Sequence, residues 1–147
     1  INNLSNNEFN FSIQKQLFRG EEMKTRGISI NRILFRTLIE NLLTNANKYG
    51  FKSNEKGNHV SIELTEIEGH LIMDVRNNGL PFPKNFDREK FITKYSTADN
   101  TNGSGLGGYD INRIATYFEN ENWELSLNND PLYPVIFRFS FPIKLMK

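Results

Sequence analysis

Two alternating segments on either side of a short turn constrain this chain most. His59 to Ile67 and Leu71 to Asn77 both read as strands, and Glu68-Gly69 lies between them. A connection this short joins only antiparallel neighbours, so the pair predicts a hairpin. Trp123 to Leu127 and Val135 to Phe141 read as two further strands, joined by a turn across Asn128 to Pro134. Near the start, Glu8 to Gln14 alternates as well, with Phe9, Phe11 and Ile13 on one face of a half-buried strand.

Helical periodicity fills much of the remainder. Ile33, Leu34, Leu38, Leu42, Ala46 and Tyr49 recur at helical spacing between Ile30 and Tyr49, with Asn31 placed to cap the start and Gly50 the end. Gly105 to Asn120 opens on glycines and continues as an amphipathic helix through Ile111, Ile114, Ala115 and Phe118. Arg88 to Ile92 is long enough for one helical turn, and Lys15 to Arg26 reads as a short helix or a connector. Phe51 to Asn58, Asn78 to Pro83 and the small, polar Thr93 to Gly103 read as loops, the last with the composition of a mobile segment. The expected fold class is α+β: a two-layer sandwich of a mixed, mainly antiparallel sheet with helices on one face. Residues 1–29 are expected to add a strand and a connector to a core formed by residues 30–147.

Composition removes several functions. There is no cysteine, which excludes disulfides, thiol catalysis and thiolate metal sites. The formal net charge is +1, without the basic excess of a general nucleic-acid or membrane-surface binder. No apolar run reaches the roughly 18–20 residues that span a bilayer, and no signal-peptide pattern opens the chain. The first residue is Ile1 rather than Met, so the chain is expected to be a piece of a longer protein, and the fragment itself a monomer. Asparagine occurs 21 times in 147 residues, so any single asparagine pattern carries less weight than usual.

Three segments carry possible chemistry, each with a plain alternative. In Glu40-Asn41-Leu42-Leu43-Thr44-Asn45-Ala46-Asn47-Lys48-Tyr49, a helix would project Asn41, Asn45 and Lys48 from one face. Carboxamide oxygens suit Mg²⁺ already paired with phosphate, and Lys48 would add a point charge; the same stripe also describes a solvated helix face. Asp74 to Pro83 is a strand running into a turn at Gly79, which permits a positive φ. It suits recognition of a flat base edge, or is an ordinary strand exit. Gly103-Ser104-Gly105-Leu106-Gly107-Gly108 precedes a helix. Its backbone N–H groups can approach an anion, or the glycines simply form a connector. The segment lacks the Lys-Ser/Thr of a Walker loop and the preceding βαβ context of a dinucleotide fold.

The order of these segments says more than any one of them. Asn-x₃-Asn-Ala-x-Lys-Tyr on a helix, Asn-Asn-Gly-x-Pro-x-Pro after a strand, a polar segment, then Gly-Ser-Gly-Leu-Gly at a helix start together resemble the ATP-binding catalytic domain of sensor histidine kinases, in the GHKL superfamily. The likeness covers roughly Ile30 to Phe141. Leu42 to Tyr49 resembles the N box, Phe91-Ile92-Thr93-Lys94 the F box, and Gly103 to Gly107 the G2 box. Three positions depart from the pattern: Asn77 stands for an aspartate, Pro81 for a glycine and Gly108 for the common leucine.

The resemblance implies ATP and Mg²⁺ as cofactors. Asn45 would bind the metal, Asn41 would support phosphates or metal, Lys48 would touch phosphate, and Tyr49 would line the nucleotide. Asn77 would accept from the adenine amino group, Gly79 would shape its turn, and Phe82 would pack near the base. Lys94 and Ser96 would belong to a lid, while Gly103, Ser104, Gly105, Leu106 and Gly107 would wrap the phosphates. With Asn77 in place of aspartate, adenine is expected to be preferred by a smaller margin than in aspartate-bearing relatives. Hydrolytic members of the superfamily carry a glutamate four residues before the metal asparagine; here that position is Asn41, which cannot act as a base.

The implied activity is therefore transfer of the ATP γ-phosphate to a histidine. His59 and His70 read as plain surface residues, so the acceptor is expected on a separate dimerisation domain of the same protein, with a response regulator served indirectly. Nucleic acid and direct membrane contact are not expected, and the implied location is cytoplasmic, either free or as the cytoplasmic part of a membrane-anchored sensor. The runner-up is a GHKL ATPase or nucleotide-gated module outside two-component signalling, and a third reading is an ATP-binding scaffold without catalysis.

Overall fold

The hairpin turn sets the geometry of everything around it. Glu68 and Gly69 both have positive φ, 48° and 77°, which is the conformation a tight two-residue loop needs to match the twist of its strands. In the computed structural model, which describes residues 10–16, 26–51, 57–82, 86–93, 107–120, 122–127 and 129–145, this turn joins β3 (His59–Ile67) to β4 (His70–Asn77). The other strands are β1 (Asn10–Gln16), β2 (Arg26–Gly27), β5 (Glu124–Leu127), β6 (Val135–Pro142) and β7 (Lys144–Leu145). The helices are α1 (Arg32–Asn45), which runs into a π-helical turn over Ala46–Gly50, then α2 (Arg88–Ile92) and α3 (Gly107–Tyr117).

The main sheet has the order β1-β3-β4-β6-β5. Only β1 is parallel to its neighbour, with Ile13 opposite Ile62. The remaining pairs are antiparallel, with Val75 between Ile62 and Phe137. This is the mixed, mainly antiparallel sheet predicted from the strand pattern. β2 and β7 form a separate two-stranded ribbon, and an ion pair from Arg26 to Glu66 ties it to the end of β3.

Alternation divides the sheet into two faces. Val60, Ile62, Met73, Val75, Phe137, Phe139 and Phe141 are buried in one core with Leu38, Leu42, Leu43 and Ala46 of α1 and Ile111, Ile114 and Ala115 of α3. The opposite face carries paired charges. Arg138 donates to both oxygens of Asp74 at 2.7 and 2.8 Å, and these bonds hold its guanidinium above its usual pKa. Arg76 donates to Ser61, pairs with Glu63 at 3.1 Å and lies over the Tyr133 ring. Helices therefore cover one face, as expected for a two-layer sandwich.

Aromatic side chains fill the gap between sheet and α2. Phe91 lies 5.5 Å from Phe137 and meets Trp123 edge-on at 6.1 Å. Trp123 stacks on Phe139 at 5.7 Å and donates through Nε1 to Asn112 of α3. Truncating a ring so buried typically costs about 3–5 kcal/mol.

Several expectations need correction. Ile33 is 77% exposed although it fits the apolar period of α1; Leu43 takes a core place instead. Ile13 is 53% exposed despite facing inward in register, since β1 is an edge strand. Of its predicted face, Phe9 lies outside the described residues. Gly50 is not a left-handed helix cap; the α-helix gives way at Ala46 to a wider turn closed by Phe51 N–H to the Ala46 carbonyl at 2.9 Å. His59 is half-buried rather than a plain surface residue, with its ring nitrogen 3.0 Å from the Ser12 hydroxyl.

Candidate functional site

Asn31 begins α1 as the sequence predicted. Its side-chain oxygen accepts from the N–H groups of Ile33 and Leu34, at 3.0 and 3.1 Å. With the start fixed and Leu38, Leu42 and Leu43 packed inward, Asn41 and Asn45 fall on the half-buried flank of the last two turns. Among the described residues, neither carboxamide is engaged in a hydrogen bond. Asn47 is buried and Lys48 exposed, on the π-helical turn that follows. A π turn advances less per residue than an α turn, so Lys48 is rotated from the position a continuous α-helix would give it. Tyr49 belongs to the same turn.

The exit of β4 closes directly on this turn. Leu80 donates its N–H to the Gly50 carbonyl at 2.7 Å. A Cβ on Gly79 would sit 2.5 Å from that oxygen and 2.7 Å from the Gly50 Cα. Gly79 does not use the positive φ open to it. Its φ is not positive; it is glycine because two backbones touch there and no side chain fits.

Asn77 is the last residue of β4 and only 4% exposed. Its side-chain oxygen accepts from the Gly79 N–H at 3.1 Å and lies beside Gly50. Asn78 was not singled out from sequence, yet it pins the turn to the preceding loop. It accepts from His59 N–H at 2.7 Å and donates to the Gly57 carbonyl at 2.7 Å. A second Asn beside the Gly turn was the available signal, since asparagine side chains bond readily to nearby backbone.

Beyond the turn, Phe82 is half-buried against Phe86 and Phe91, with ring centroids 5.0 and 5.6 Å away. Gly107, the first residue of α3, is exposed with open space where a Cβ would stand. Gly108 faces the opposite situation: a Cβ there would lie 1.9 Å from the Phe91 carbonyl oxygen. The common leucine is missing at this position because α2 and α3 meet backbone to backbone. Lys94, Ser96, Gly103, Ser104, Gly105 and Leu106, and most of the predicted loop from Thr93 to Gly103, lie outside the described residues.

The described residues of the candidate site lie on three parts of the fold. The end of α1 carries Asn41 and Asn45 and the π turn Lys48; the exit of β4 carries Asn77 and Gly79; Phe82 and Phe86 precede α2, which carries Phe91, and Gly107 begins α3. Among the described residues no group of three or more His, Asp or Glu is placed to hold a metal, and no helix is long and apolar enough to cross a membrane.

Comparison with known proteins agrees with this arrangement. The sensor histidine kinase YvrG of Bacillus subtilis is 31% identical over 86 residues, and the sensor protein LytS of Staphylococcus epidermidis is 27% identical over 79. Each match takes in 54% of this chain but only 13% of the relative, so the chain spans a small part of these proteins. Among solved structures, the mycobacterial sensor histidine kinase MprB superposes with a TM-score of 0.69 at 16% identity, covering 94% of this chain and 86% of the other. The catalytic domain of histidine kinase ThkA gives 0.64 at 21%, covering 91% and 78%. These likenesses establish the fold. The profile of the family described as histidine kinase-, DNA gyrase B-, and HSP90-like ATPase matches residues 30–145, which is most of the chain, and the chain belongs to that family.

Proposed function

We propose that this chain is the ATP-binding catalytic domain of a sensor histidine kinase, passing the γ-phosphate of ATP to a histidine on a dimerisation domain elsewhere in the same protein. Residues 1–29 would be part of this domain, with 30–147 as its nucleotide-binding core. The observation that carries the reading is the pair of unengaged carboxamides, Asn41 and Asn45, one helical turn apart on the half-buried flank of α1. Two neutral oxygen donors fit a hard divalent cation that arrives already bound to phosphates, better than they fit a cation held by protein alone. Asn45 would hold Mg²⁺ and Asn41 would support the phosphates. When bound, the ion would neutralise charge on the transferring phosphoryl group. Lys48 would meet phosphate, Tyr49 would line the nucleotide, and Asn77, Gly79 and Phe82 would form the base end. The Gly103–Gly107 loop would wrap the phosphates, with Lys94 and Ser96 closing over them.

Transfer is favoured over hydrolysis for a local reason. Asn41 has no basicity at neutral pH, and the neighbouring Glu40 is tied to Arg36 at 2.8 Å on the outer flank of α1. The chain therefore offers no carboxylate at the position from which a base would activate water. A response regulator would receive the phosphate in turn; histidine kinase ThkA, a structural neighbour, has been solved in complex with a response regulator protein. The domain would work in the cytoplasm.

Calorimetry tests the metal assignment. ADP should bind to the chain more tightly with Mg²⁺ than without. Asn45→Ala and Asn45→Asp should lose that enhancement while unfolding at the parent temperature, because Asn45 lies at the core's edge. Undiminished Mg²⁺ dependence in both variants would remove Asn45 from the metal site.

A further inference from the structure

We infer that Asn78 is a positioning residue for nucleotide binding: its carboxamide takes the place of a rung of the β3–β4 ladder and so holds Asn77 and Gly79 where the base end of the site is built. The inference rests on the reading above, that an adenine nucleotide binds beside Asn77, and goes beyond it in assigning a role to a residue one step removed from the base.

The ladder shows how this works. Val60 stands opposite Asn77 in the last register pair of β3 and β4. One residue further, Asn78 donates its N–H to the His59 carbonyl at 3.2 Å, as the next antiparallel pair would. In a regular pair the main-chain carbonyl of Asn78 would accept from the His59 N–H in return. Here the side-chain oxygen accepts instead, at 2.7 Å. The amide nitrogen of the same side chain donates to the Gly57 carbonyl, also at 2.7 Å. A carboxamide carries the donor and the acceptor of a peptide group, so it can close the ladder while the backbone leaves it. The main chain is thereby free to turn at Gly79 and meet Gly50, whose carbonyl accepts from the Leu80 N–H at 2.7 Å.

The exit of β4 is therefore held from two sides. Gly50, at the end of the π turn, holds Leu80; Gly57 and His59, at the entry to β3, hold Asn78. Between them the Gly79 N–H is fixed, and the Asn77 oxygen accepts from it at 3.1 Å. Loss of the Asn78 side-chain contacts would leave a single hold, and the Gly79 N–H and the Asn77 carboxamide would shift together. Asn78 is itself exposed and stands outside the hydrophobic core, so truncating it removes hydrogen bonds and no apolar packing. Alanine lacks both the donor and the acceptor. Aspartate keeps the acceptor for His59 N–H and lacks the donor for Gly57.

The 147-residue chain, Asn78→Ala and Asn78→Asp are compared by calorimetry with ADP, with and without Mg²⁺, well below their melting temperatures, and by amide hydrogen exchange. Asn78→Ala should raise the ADP dissociation constant by about fivefold, the effect of one or two neutral hydrogen bonds. The factor by which Mg²⁺ tightens binding should stay at the parent value, since Asn41 and Asn45 stand on α1. The Gly79 and Leu80 amides should exchange faster than in the parent, and the Val75 amide, inside the sheet, at the parent rate. Asn78→Asp, measured in raised salt to screen its charge, should fall between alanine and the parent. A folded Asn78→Ala that binds ADP as the parent does overturns the inference. So does one whose Gly79 and Leu80 amides exchange at the parent rate, or one that loses the Mg²⁺ factor. If Asn78→Ala does not fold, the same outcomes are read from Asn78→Asp. If the folded parent binds no ADP, the proposed function fails and this inference with it.

Discussion

Gly79→Ala is the sharpest test of how the cleft is held together. The added Cβ would meet the Gly50 carbonyl oxygen at 2.5 Å, its carbon at 2.6 Å and the Gly50 Cα at 2.7 Å. All three are backbone atoms, so no side chain can swing aside. Ordinary contact begins at 3.4 Å, which requires the two segments to part by about 0.9 Å. The Leu80 N–H to Gly50 bond, now 2.7 Å, would then exceed hydrogen-bonding distance. Overpacking of this kind costs roughly 1–3 kcal/mol, and the lost bond about 0.5–1.5 kcal/mol more. Reduced freedom of the unfolded chain returns about 0.4–1 kcal/mol. A net loss of about 0.5–4 kcal/mol should lower the melting temperature by roughly 2–12 °C in a chain of this size. Gly107→Ala is the control for stability, since a Cβ there meets nothing within 4 Å and the residue begins a helix. Thermal and urea unfolding of the three proteins decide the point. If Gly79→Ala melts within about 1 °C of the parent, the two backbones are not in contact and the cleft end is built otherwise.

Two further outcomes follow from the same geometry. Gly108→Leu, which installs the residue more usual at this position, should destabilise the chain by about 1–3 kcal/mol because its Cβ would overlap the Phe91 carbonyl. The single tryptophan, Trp123, packs on Phe91 and under Arg88, so its fluorescence should change with the shift of α2, and an unchanged spectrum and stability would refute the contact. Incubated with Mg-ATP, the chain alone should label neither His59 nor His70 and should hydrolyse ATP slowly; robust turnover would move the ATPase reading ahead of the kinase one.

What could be read from the sequence was whatever is encoded locally. The Asn31 cap, the Glu68-Gly69 turn and the alternation of Val135 to Phe141 are all properties of a few neighbouring residues, and all are present in the fold. What depends on distant partners was not legible. β2 and β7 are two residues each and exist only by pairing with each other across the chain. Nothing local to Asn10–Gln16 encodes that β1 runs parallel to β3. Ile33 fits the apolar period of α1, yet its side chain stays in solvent. The same limit applies at the site. Gly79 looked like a residue chosen for its own torsion angle, and is instead required by a backbone 29 positions earlier. Asn77 could be placed at the base edge by motif order, but that its oxygen accepts from the Gly79 N–H is a contact the motif does not reveal. The glycine-rich segment from Gly103 to Leu106, with Lys94 and Ser96, lies outside the described residues, so its assignment still rests on resemblance alone.

The contact between Gly50 and Gly79 also bears on how the two ends of the cleft are related. The residues proposed for phosphate and metal, Asn41 and Asn45, stand on α1; the residue proposed for the base, Asn77, ends β4. These elements are joined by the π-helical turn, whose last carbonyl reaches Leu80 N–H. An α-helical turn over Ala46–Gly50 would be narrower and would place that carbonyl elsewhere, leaving either the Leu80 N–H unpaired or the strand exit displaced. The extra width of one turn thus sets the spacing between base and phosphate positions, and Gly50 and Gly79 permit it because neither carries a Cβ. A nucleotide that bridges both ends would find that spacing already made, which lowers the ordering cost of binding.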